Sequence, residues 1–351
     1  MKYRLRDLAQ IKYGKDHKKL KDGNIPVYGT GGLMRKVNEY LYDGKSVLIP
    51  RKGSLNNVMY VTGKFWTVDT MFWTHVDDSK VIPKYLYYCL SKMDLESLNV
   101  GSAVPSLTTK ILNEIILDIP PKEKQKEIID KLAPIEEKVR LNNKINDNLG
   151  KLIDLDFNKT LGNNSLESVT IDNLGSIIGG GTPSKKIAEY WNGDIPWITP
   201  KDLSKSKRLF TSSGNLWITN EGLAKSSAKI LPIGTVLYSS RAPIGYISIA
   251  DNPITTNQGF KSIVPNKGYS TEFIFELLKK ETDNLINSAN GSTFKEISGT
   301  QLKNHIVKIP TKLVCQQFSE RVQPMFRIIR KLEQENFVLL QIKELLLNKF
   351  F

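Results

Sequence analysis

Two cysteines in 351 residues are too few for a disulfide framework, and Cys89 and Cys315 stand in apolar or helical surroundings without a metal-type neighbour. Both read as reduced, structural thiols. Histidine is nearly as scarce: His17, His75 and His305 are the whole supply, and none is spaced with a cysteine or acid as a zinc ligand would be. They are expected to be solvated or locally hydrogen-bonded. No apolar run reaches the roughly 18 residues needed to cross a bilayer. The opening Met1-Lys2-Tyr3-Arg4-Leu5-Arg6 lacks the apolar core of a signal peptide, so the expectation is a cytoplasmic chain with no membrane partner. Negative charge is short as well. Against 50 lysines and arginines stand 36 aspartates and glutamates, a formal charge of +14, as in polyanion-binding proteins.

Several catalytic signatures are also absent. No Gly-x-x-x-x-Gly-Lys-Ser/Thr loop is present to cradle nucleotide phosphates. Nor is there an Asn/Asp-Pro-Pro-aromatic loop to grip a flipped adenine. The nearest approach to a metal-nuclease pattern is Asp69 with Asp78-Ser79-Lys80, but the latter leads into Ile82-Pro83 and reads as a turn.

What the chain does contain, it contains twice. Gly44-Lys45-Ser46-Val47 through Arg51, Gly101-Ser102, Leu112-Asn113-Glu114-Ile115 and Ile119-Pro120 recur as Gly234-Thr235-Val236-Leu237 through Arg241, Gly291-Ser292, Leu302-Lys303-Asn304-His305 and Ile309-Pro310. The offset is 190 at every anchor. Asn24-Ile25-Pro26-Val27 and Asp194-Ile195-Pro196-Trp197 align at 170, so the second copy has gained about 20 residues in between. A period this long means duplicated domains.

Four segments follow: a globular unit over 1–121, a helical segment over 122–160, a second unit over 161–310 and a second helical segment over 311–351. Their net charges are +6, +1, +4 and +3, so most of the positive excess lies in the globular units. Within the units, β-branched and aromatic runs such as Val47–Pro50, Val58–Val61, Phe65–Val68, Val236–Ser239 and Gly245–Ile249 predict short strands. Helices are expected around Lys84–Tyr88 and Glu272–Leu278. Each unit is therefore α+β.

In the helical segments, apolar residues follow the alternating four and three spacing of a coiled-coil seam. Ile128, Leu132, Val139 and Leu149 on the first, and Val322, Ile329, Leu332 and Leu339 on the second, are the positions expected to bind a partner. Asn142, Asn146 and Asn336 interrupt the seams, as polar residues that fix register do. Helices of this length need a partner for their stripe, and the simplest arrangement pairs the two antiparallel as a spacer. Pro134 is expected to kink or restart the first.

Gly180-Gly181-Thr182-Pro183-Ser184, Tyr190-Trp191, Gly193-Asp194-Ile195-Pro196-Trp197-Ile198 and Lys201-Asp202-Leu203 resemble one common form of the target recognition domain of type I restriction-modification DNA-specificity subunits. Tyr13-Gly14-Lys15 and Ile25-Pro26-Val27-Tyr28-Gly29-Thr30-Gly31-Gly32 resemble a second form. The Ile-Pro junctions at 119–120 and 309–310, with Gln125 and Gln316 beyond, resemble the starts of that family's helical spacers. The likeness spans essentially the whole chain. With both recognition domains and both helices present, the chain is read as compact rather than truncated. The resemblance implies a non-catalytic subunit that reads a bipartite, asymmetric site in double-stranded DNA. It implies assembly with two modification (methyltransferase) subunits, which bind S-adenosylmethionine and grip the spacer, and with restriction (translocase and nuclease) subunits. No cofactor is expected on this chain.

For DNA contact, arginine reads guanine edges and clamps phosphates. Arg51 and Lys52 stand where Arg241 stands in the repeat. Tyr28, Thr30 and Lys36, with Thr182, Ser184, Thr199 and Lys201, are donors near glycines that allow close approach, although each equally suits turn capping. Gly180 sits in a triglycine able to meet a phosphate backbone or to make a tight turn. Asn257 and Gln258 have the amide geometry for adenine, or for a buried hydrogen bond. Trp191 and Trp197 read as core. Two competing classes remain: a self-contained nuclease or methyltransferase, and a coiled-coil structural or inhibitor protein.

Overall fold

The computed structural model describes residues 1–101, 103–206, 208–289 and 295–351. The repeat anchors Ser102, Gly291 and Ser292 lie outside the described residues. Contacts divide the chain into two units, Met1–Val139 with Val338–Phe351, and Arg140–Phe337.

The first unit runs through β1 (Lys2–Arg4), α1 (Leu5–Leu8), β2 (Ala9–Tyr13), β3 (Asp22–Gly29), β4 (Gly32–Val37), β5 (Tyr42–Asp43), β6 (Ser46–Pro50), β7 (Met59–Val61), β8 (Lys64–Thr67), β9 (Met71–Val76), α2 (Pro83–Lys92), α3 (Thr109–Asn113) and β10 (Ile116–Asp118) into α4 (Lys122–Gly162). Two four-stranded sheets result, ordered β2-β9-β6-β7 and β4-β3-β8-β5, while β1 pairs with β10. Val47 and Ile49 of β6 and the α2 residues Tyr85, Leu86 and Tyr88 share one core with Ile128 and Leu132 of α4, while Leu48 packs into a second cluster with Val27 and Phe65.

The second unit has β11 (Glu167–Thr170), β12 (Ser176–Gly179), β13 (Trp191–Ile198), α5 (Pro200–Lys205), β14 (Phe210–Thr211), β15 (Leu216–Ile218), α6 (Asn220–Ala224), β16 (Val236–Ser240), β17 (Ile244–Ala250), β18 (Thr255–Thr256), β19 (Lys261–Val264), α7 (Thr271–Ser288), α8 (Gly299–Asn304), β20 (Ile306–Ile309) and α9 (Lys312–Phe350). Its main sheet is ordered β12-β19-β16-β17-β14, beside a three-stranded sheet β15-β13-β18 and the pair β11-β20.

Both units share one plan. Four strands have the same order, β2-β9-β6-β7 in the first and β12-β19-β16-β17 in the second, and the second sheet of each unit holds one parallel pair, with Val27 opposite Trp66 in the first and Trp197 opposite Thr255 in the second. Helix starts repeat too: Thr108 caps α3 by accepting from Ile111 N–H, and Ser298 caps α8 by accepting from Gln301 N–H. The ladders correct one detail of the sequence alignment. Leu107 N–H donates to Arg51 O and Ile297 N–H to Ser240 O, so Arg51 corresponds to Ser240, and Val47 on the same strand to Val236 rather than to Leu237. The repeat is one residue tighter here than the 190 of the flanking anchors, and a one-residue slip turns every side chain to the other face.

The long helices are each one element. Pro134 lies inside α4 without ending it, so the expected restart does not occur, and Pro324 stands inside α9. A proline removes one helical hydrogen bond and costs about 3 kcal/mol, a cost offset by burial of Leu132 before Pro134, and of Val322 and Phe326 around Pro324, at about 1.5–3 kcal/mol per side chain. Within the second unit the two helices run antiparallel, since Asn142 meets Asn336 while Phe157 meets Phe318. Phe157, Phe273 and Phe318 form an aromatic triad with centroids 5.3 to 6.2 Å apart. Within the first unit Glu136 of α4 accepts from Lys343 of α9 at 2.7 Å.

The predicted polar interruption is a hydrogen-bonded knot. Buried Asn142 donates to Asn336 Oδ1 (2.9 Å) and to Glu335 (2.7 Å), and Asn336 donates to Asn143 (2.9 Å). Asn142→Leu is expected to strand the Asn336 carbonyl at a cost of about 1–3 kcal/mol. Adding Asn336→Leu should recover most of it, measured by denaturant unfolding; equal losses in both variants would count against the knot.

Candidate nucleic-acid interface

In each unit the end of the first main-sheet strand is clasped to the loop that follows the parallel pair. In the first unit Gly14 N–H donates to Met71 O (2.9 Å), Lys15 N–H to Thr67 O (2.9 Å) and Arg51 N–H to Thr70 O (2.8 Å). In the second, Gly180 N–H donates to Phe260 O (3.3 Å), Gly181 N–H to Thr256 O (2.9 Å) and Ser240 N–H to Gly259 O (2.7 Å). The glycines are dictated by this approach. A Cβ on Gly14 would lie 2.0 Å from Val68 O, and one on Gly180 would lie 1.9 Å from Asn257 O.

An indole locks each clasp from a different strand. Trp66 Nε1–H on β8 donates to Lys15 O (2.9 Å), whereas Trp197 Nε1–H on β13 donates to Gly181 O (2.8 Å). The tryptophan has changed places across the parallel pair yet holds the same carbonyl. Trp191 meets Trp197 edge to face at 5.1 Å, so both serve the fold, as expected.

In the first unit the clasp gathers several of the expected contact residues. Arg51 rests its guanidinium 5.7 Å from the Tyr13 ring, and its buried Nε has no acceptor among the described residues. Lys52 is exposed and bridges the backbone of Ser106, Gly53 N–H donates to Pro105 O (3.0 Å), and Asn57 donates to Thr30 O. Tyr28 is half-buried, which raises its phenol above the ordinary value. Lys36 is exposed further down the β3–β4 hairpin, opposite Pro26.

In the second unit Arg241 forms an ion pair with Glu296 at 3.2 Å and bridges its backbone. By the ladder register, Lys52 rather than Arg51 occupies the place of Arg241, while Arg51 matches Ser240. Lys261 stands near the ion pair, its ammonium lowered by burial, with Glu296 raising and Arg241 lowering it further. Thr182 donates to Gln258 Oε1, and Asn257 Oδ1 accepts from Gly259 N–H (2.9 Å) in a local turn. The Thr199 hydroxyl donates to Asp202 (2.6 Å) and caps α5, so the capping alternative describes it. Ser184 and Lys201 are exposed. The space a Gly180 side chain would need is taken by the chain's own Asn257 carbonyl, so the close approach seen there is between two stretches of this backbone.

The structure also draws in residues that site reasoning passed over. The loop leaving Gly14 carries exposed Lys15, Lys18, Lys19 and Lys21, and the loop leaving Gly180 carries exposed Lys185 and Lys186. A lysine run beside a glycine was the available signal.

The seam residues are used within the chain. Ile128, Leu132, Val322 and Ile329 are buried, and Val139, Leu149, Leu332 and Leu339 are half-buried, so this stripe faces the chain's own helices and cores. Exposed apolar residues on α4 are different ones: Leu141, Ile145, Leu152 and Leu155. The histidines are locally bonded in two cases, His75 to Tyr42 (2.9 Å) and His305 to Glu281 (3.2 Å). His17 departs from expectation, its buried Nδ1 having no partner among the described residues. Cys89 and Cys315 are free and buried, which pushes both thiols up to about 12. Among the described residues no helix is long and apolar enough to cross a membrane.

Two α+β units on one plan, each with a glycine clasp under a lysine-bearing loop, define a tandem-duplicated protein with one loop cluster per unit. The chain belongs to the family of type I restriction modification DNA specificity domains, whose pattern matches residues 1–151 and 163–339. It is 40% identical over 183 residues to the type I restriction enzyme MjaIX specificity subunit of Methanocaldococcus jannaschii, covering 52% of this chain and 42% of that one. It is 26% identical over 259 residues to the EcoR124I/EcoR124II specificity subunit of Escherichia coli, covering 68% and 61%. Both matches thus span less than two thirds of the relative. A crystal structure of a type I restriction-modification S subunit from M. genitalium shares the fold, with a TM-score of 0.65, 15% identity and coverage of 100% of this chain and 96% of that one.

Proposed function

We propose that this chain is a sequence-specific DNA-reading subunit of a type I restriction-modification enzyme, each unit reading one half of a two-part site in double-stranded DNA. The repeated clasp carries this reading: the same backbone hydrogen bonds hold loops whose side chains differ, Arg51, Lys52 and Thr30 in one unit, Arg241, Thr182 and Gln258 in the other. A common frame with different readers suits an asymmetric target. Arg51 and Arg241 act as base readers, while the exposed lysines of the two loops take phosphates, since phosphate contacts position and base contacts specify. The four segments read from the sequence are two recognition domains and their helical spacers.

The chain itself performs no chemistry and holds no cofactor. Methyl transfer belongs to two modification subunits carrying S-adenosylmethionine, and cleavage to restriction subunits that join them. The exposed row Leu141, Ile145, Leu152 and Leu155 supports assembly, because a contiguous exposed apolar row marks a protein partner.

The test is binding of the full chain, with and without its modification subunits, to randomised duplex DNA. One two-part sequence should be enriched, and Lys18, Lys19, Lys185 and Lys186 changed together to alanine should flatten the log K versus log salt slope by about 3 to 4 while leaving the selected sequence unchanged. No sequence enrichment would sink the proposal, as would methyl transfer or cleavage by this chain alone.

A further inference from the structure

We propose, on the DNA reading above, that Glu296 is a specificity-determining residue of the second unit. It holds the Arg241 guanidinium in the attitude that reads a guanine edge, at a place in the shared frame where the first unit keeps only a phosphate clamp. Both places are fixed by backbone alone. Arg241 and Glu296 bridge antiparallel, and Ile297 N–H donates to Ser240 O (3.0 Å). In the first unit Lys52 and Ser106 bridge in the same way, and Leu107 N–H donates to Arg51 O (2.9 Å). The side chains carried there differ in kind. Glu296 Oε2 accepts from Arg241 Nη1 at 3.2 Å, whereas Lys52 has Ser106 across the bridge and forms no ion pair among the described residues.

With side chains 38% and 40% exposed, the Arg241–Glu296 pair adds little to stability. Its effect is on direction. A lone surface arginine moves among rotamers and takes a phosphate as readily as a base edge, since both accept from its planar fork. One N–H held by Glu296 restricts that movement and leaves the fork's other N–H groups for guanine O6 and N7. The carboxylate also repels phosphate oxygens, which turns the couple toward the bases. Burial lowers the Lys261 ammonium, with Glu296 opposing and Arg241 adding to the fall, so the carboxylate stands against two cations that repel each other. Without it, Arg241 swings away from Lys261. Ala242, next along the chain, holds φ at +53°, in the left-handed region that a residue with a Cβ seldom adopts, so the course of the chain at Arg241 is imposed at a conformational cost. Lysine at the matching place is a compact, strongly hydrated charge on a flexible stem, which suits a phosphate and cannot grip a base edge in two places.

Selection by the full chain on randomised duplex DNA, followed by salt-dependent affinity for one selected duplex, tests this. Arg241→Ala should lose a guanine preference at one position of one half-site, a preference ordinarily worth about tenfold to a hundredfold. Glu296→Ala should relax the same position by about tenfold while total affinity stays level or rises, because a negative charge has left the DNA face. Glu296→Gln, which keeps an acceptor at the same reach, should retain part of the preference. Glu296→Ala added to Arg241→Ala should change nothing further there. Lys52→Ala should weaken all sequences alike and flatten the log K versus log salt slope by about 1. A carboxylate that only braced the fold would lower affinity for every sequence and leave the preferences intact, a result that overturns the proposal. So would a Glu296→Ala effect that persists without Arg241, or a base preference lost in Lys52→Ala. A guanine preference unchanged in Glu296→Ala, with the wild-type chain still selecting a two-part site, overturns the role of Glu296 and leaves the DNA reading standing; no selection by the wild-type chain removes both.

Discussion

Phe157→Ala is expected to lower the unfolding free energy of the second unit by about 3–5 kcal/mol, the largest single effect anticipated in this chain. Phe157 is 2% exposed and packs its ring against Phe273 of α7 and Phe318 of α9. The deletion removes buried apolar surface and leaves a cavity that three separately anchored helices cannot collapse into. It also removes two edge-on ring contacts, each worth roughly 0.5–1.5 kcal/mol beyond burial. Leu155→Ala, two residues earlier on the same helix but 66% exposed, should change stability by less than about 0.5 kcal/mol. Denaturant unfolding of the three proteins decides it, and similar losses in both variants would refute the triad's role.

Gly14→Ala and Gly180→Ala come next. The added methyl would meet a backbone carbonyl oxygen at 2.0 Å or 1.9 Å, so the clasp must open rather than a side chain swing aside. Overpacking ordinarily costs about 1–3 kcal/mol, and a fixed carbonyl puts these variants at or above the top of that range. Because the lysine loop begins at the glycine, each variant should also lose DNA affinity, and selection on randomised duplex should retain only the half-site of the intact unit. Gly31→Ala is the control, since a Cβ there meets nothing within 4 Å. Unchanged stability and unchanged two-part selection in Gly14→Ala would show that the clasp is not the frame of the site.

Much of the fold was legible in the sequence, and the exceptions have physical causes. The duplication, the strands with β-branched and aromatic runs and the two long amphipathic helices are visible because burial repeats at fixed spacing. The tightened register from Val47 to Val236 was hidden because it is set by hydrogen bonds between strands, whereas the matching letters on either side follow a spacing of 190. The correspondence of Gly14 with Gly180 was hidden more deeply, since the segments between the anchors differ in length and only the shared acceptors reveal it. Pro134 misled because helix propensity weighs little against a packed flank. Arg51 and Arg241 stood out as candidates by their chemistry, but the local bond of the Thr199 hydroxyl to Asp202 shows only in the structure.

The first unit is made of two stretches far apart in the chain, Met1–Val139 and Val338–Phe351, with Leu347 buried in the same core as Leu5 and Val47. On the ribosome this reverses the usual order, in which the N-terminal domain folds first. The second unit, contained in one continuous stretch, can be finished while the first still waits for its closing helix. A nascent chain stalled before Leu347 emerges would therefore hold a completed second unit and an unsealed first one, so quality control of this protein falls on the part that was made earliest.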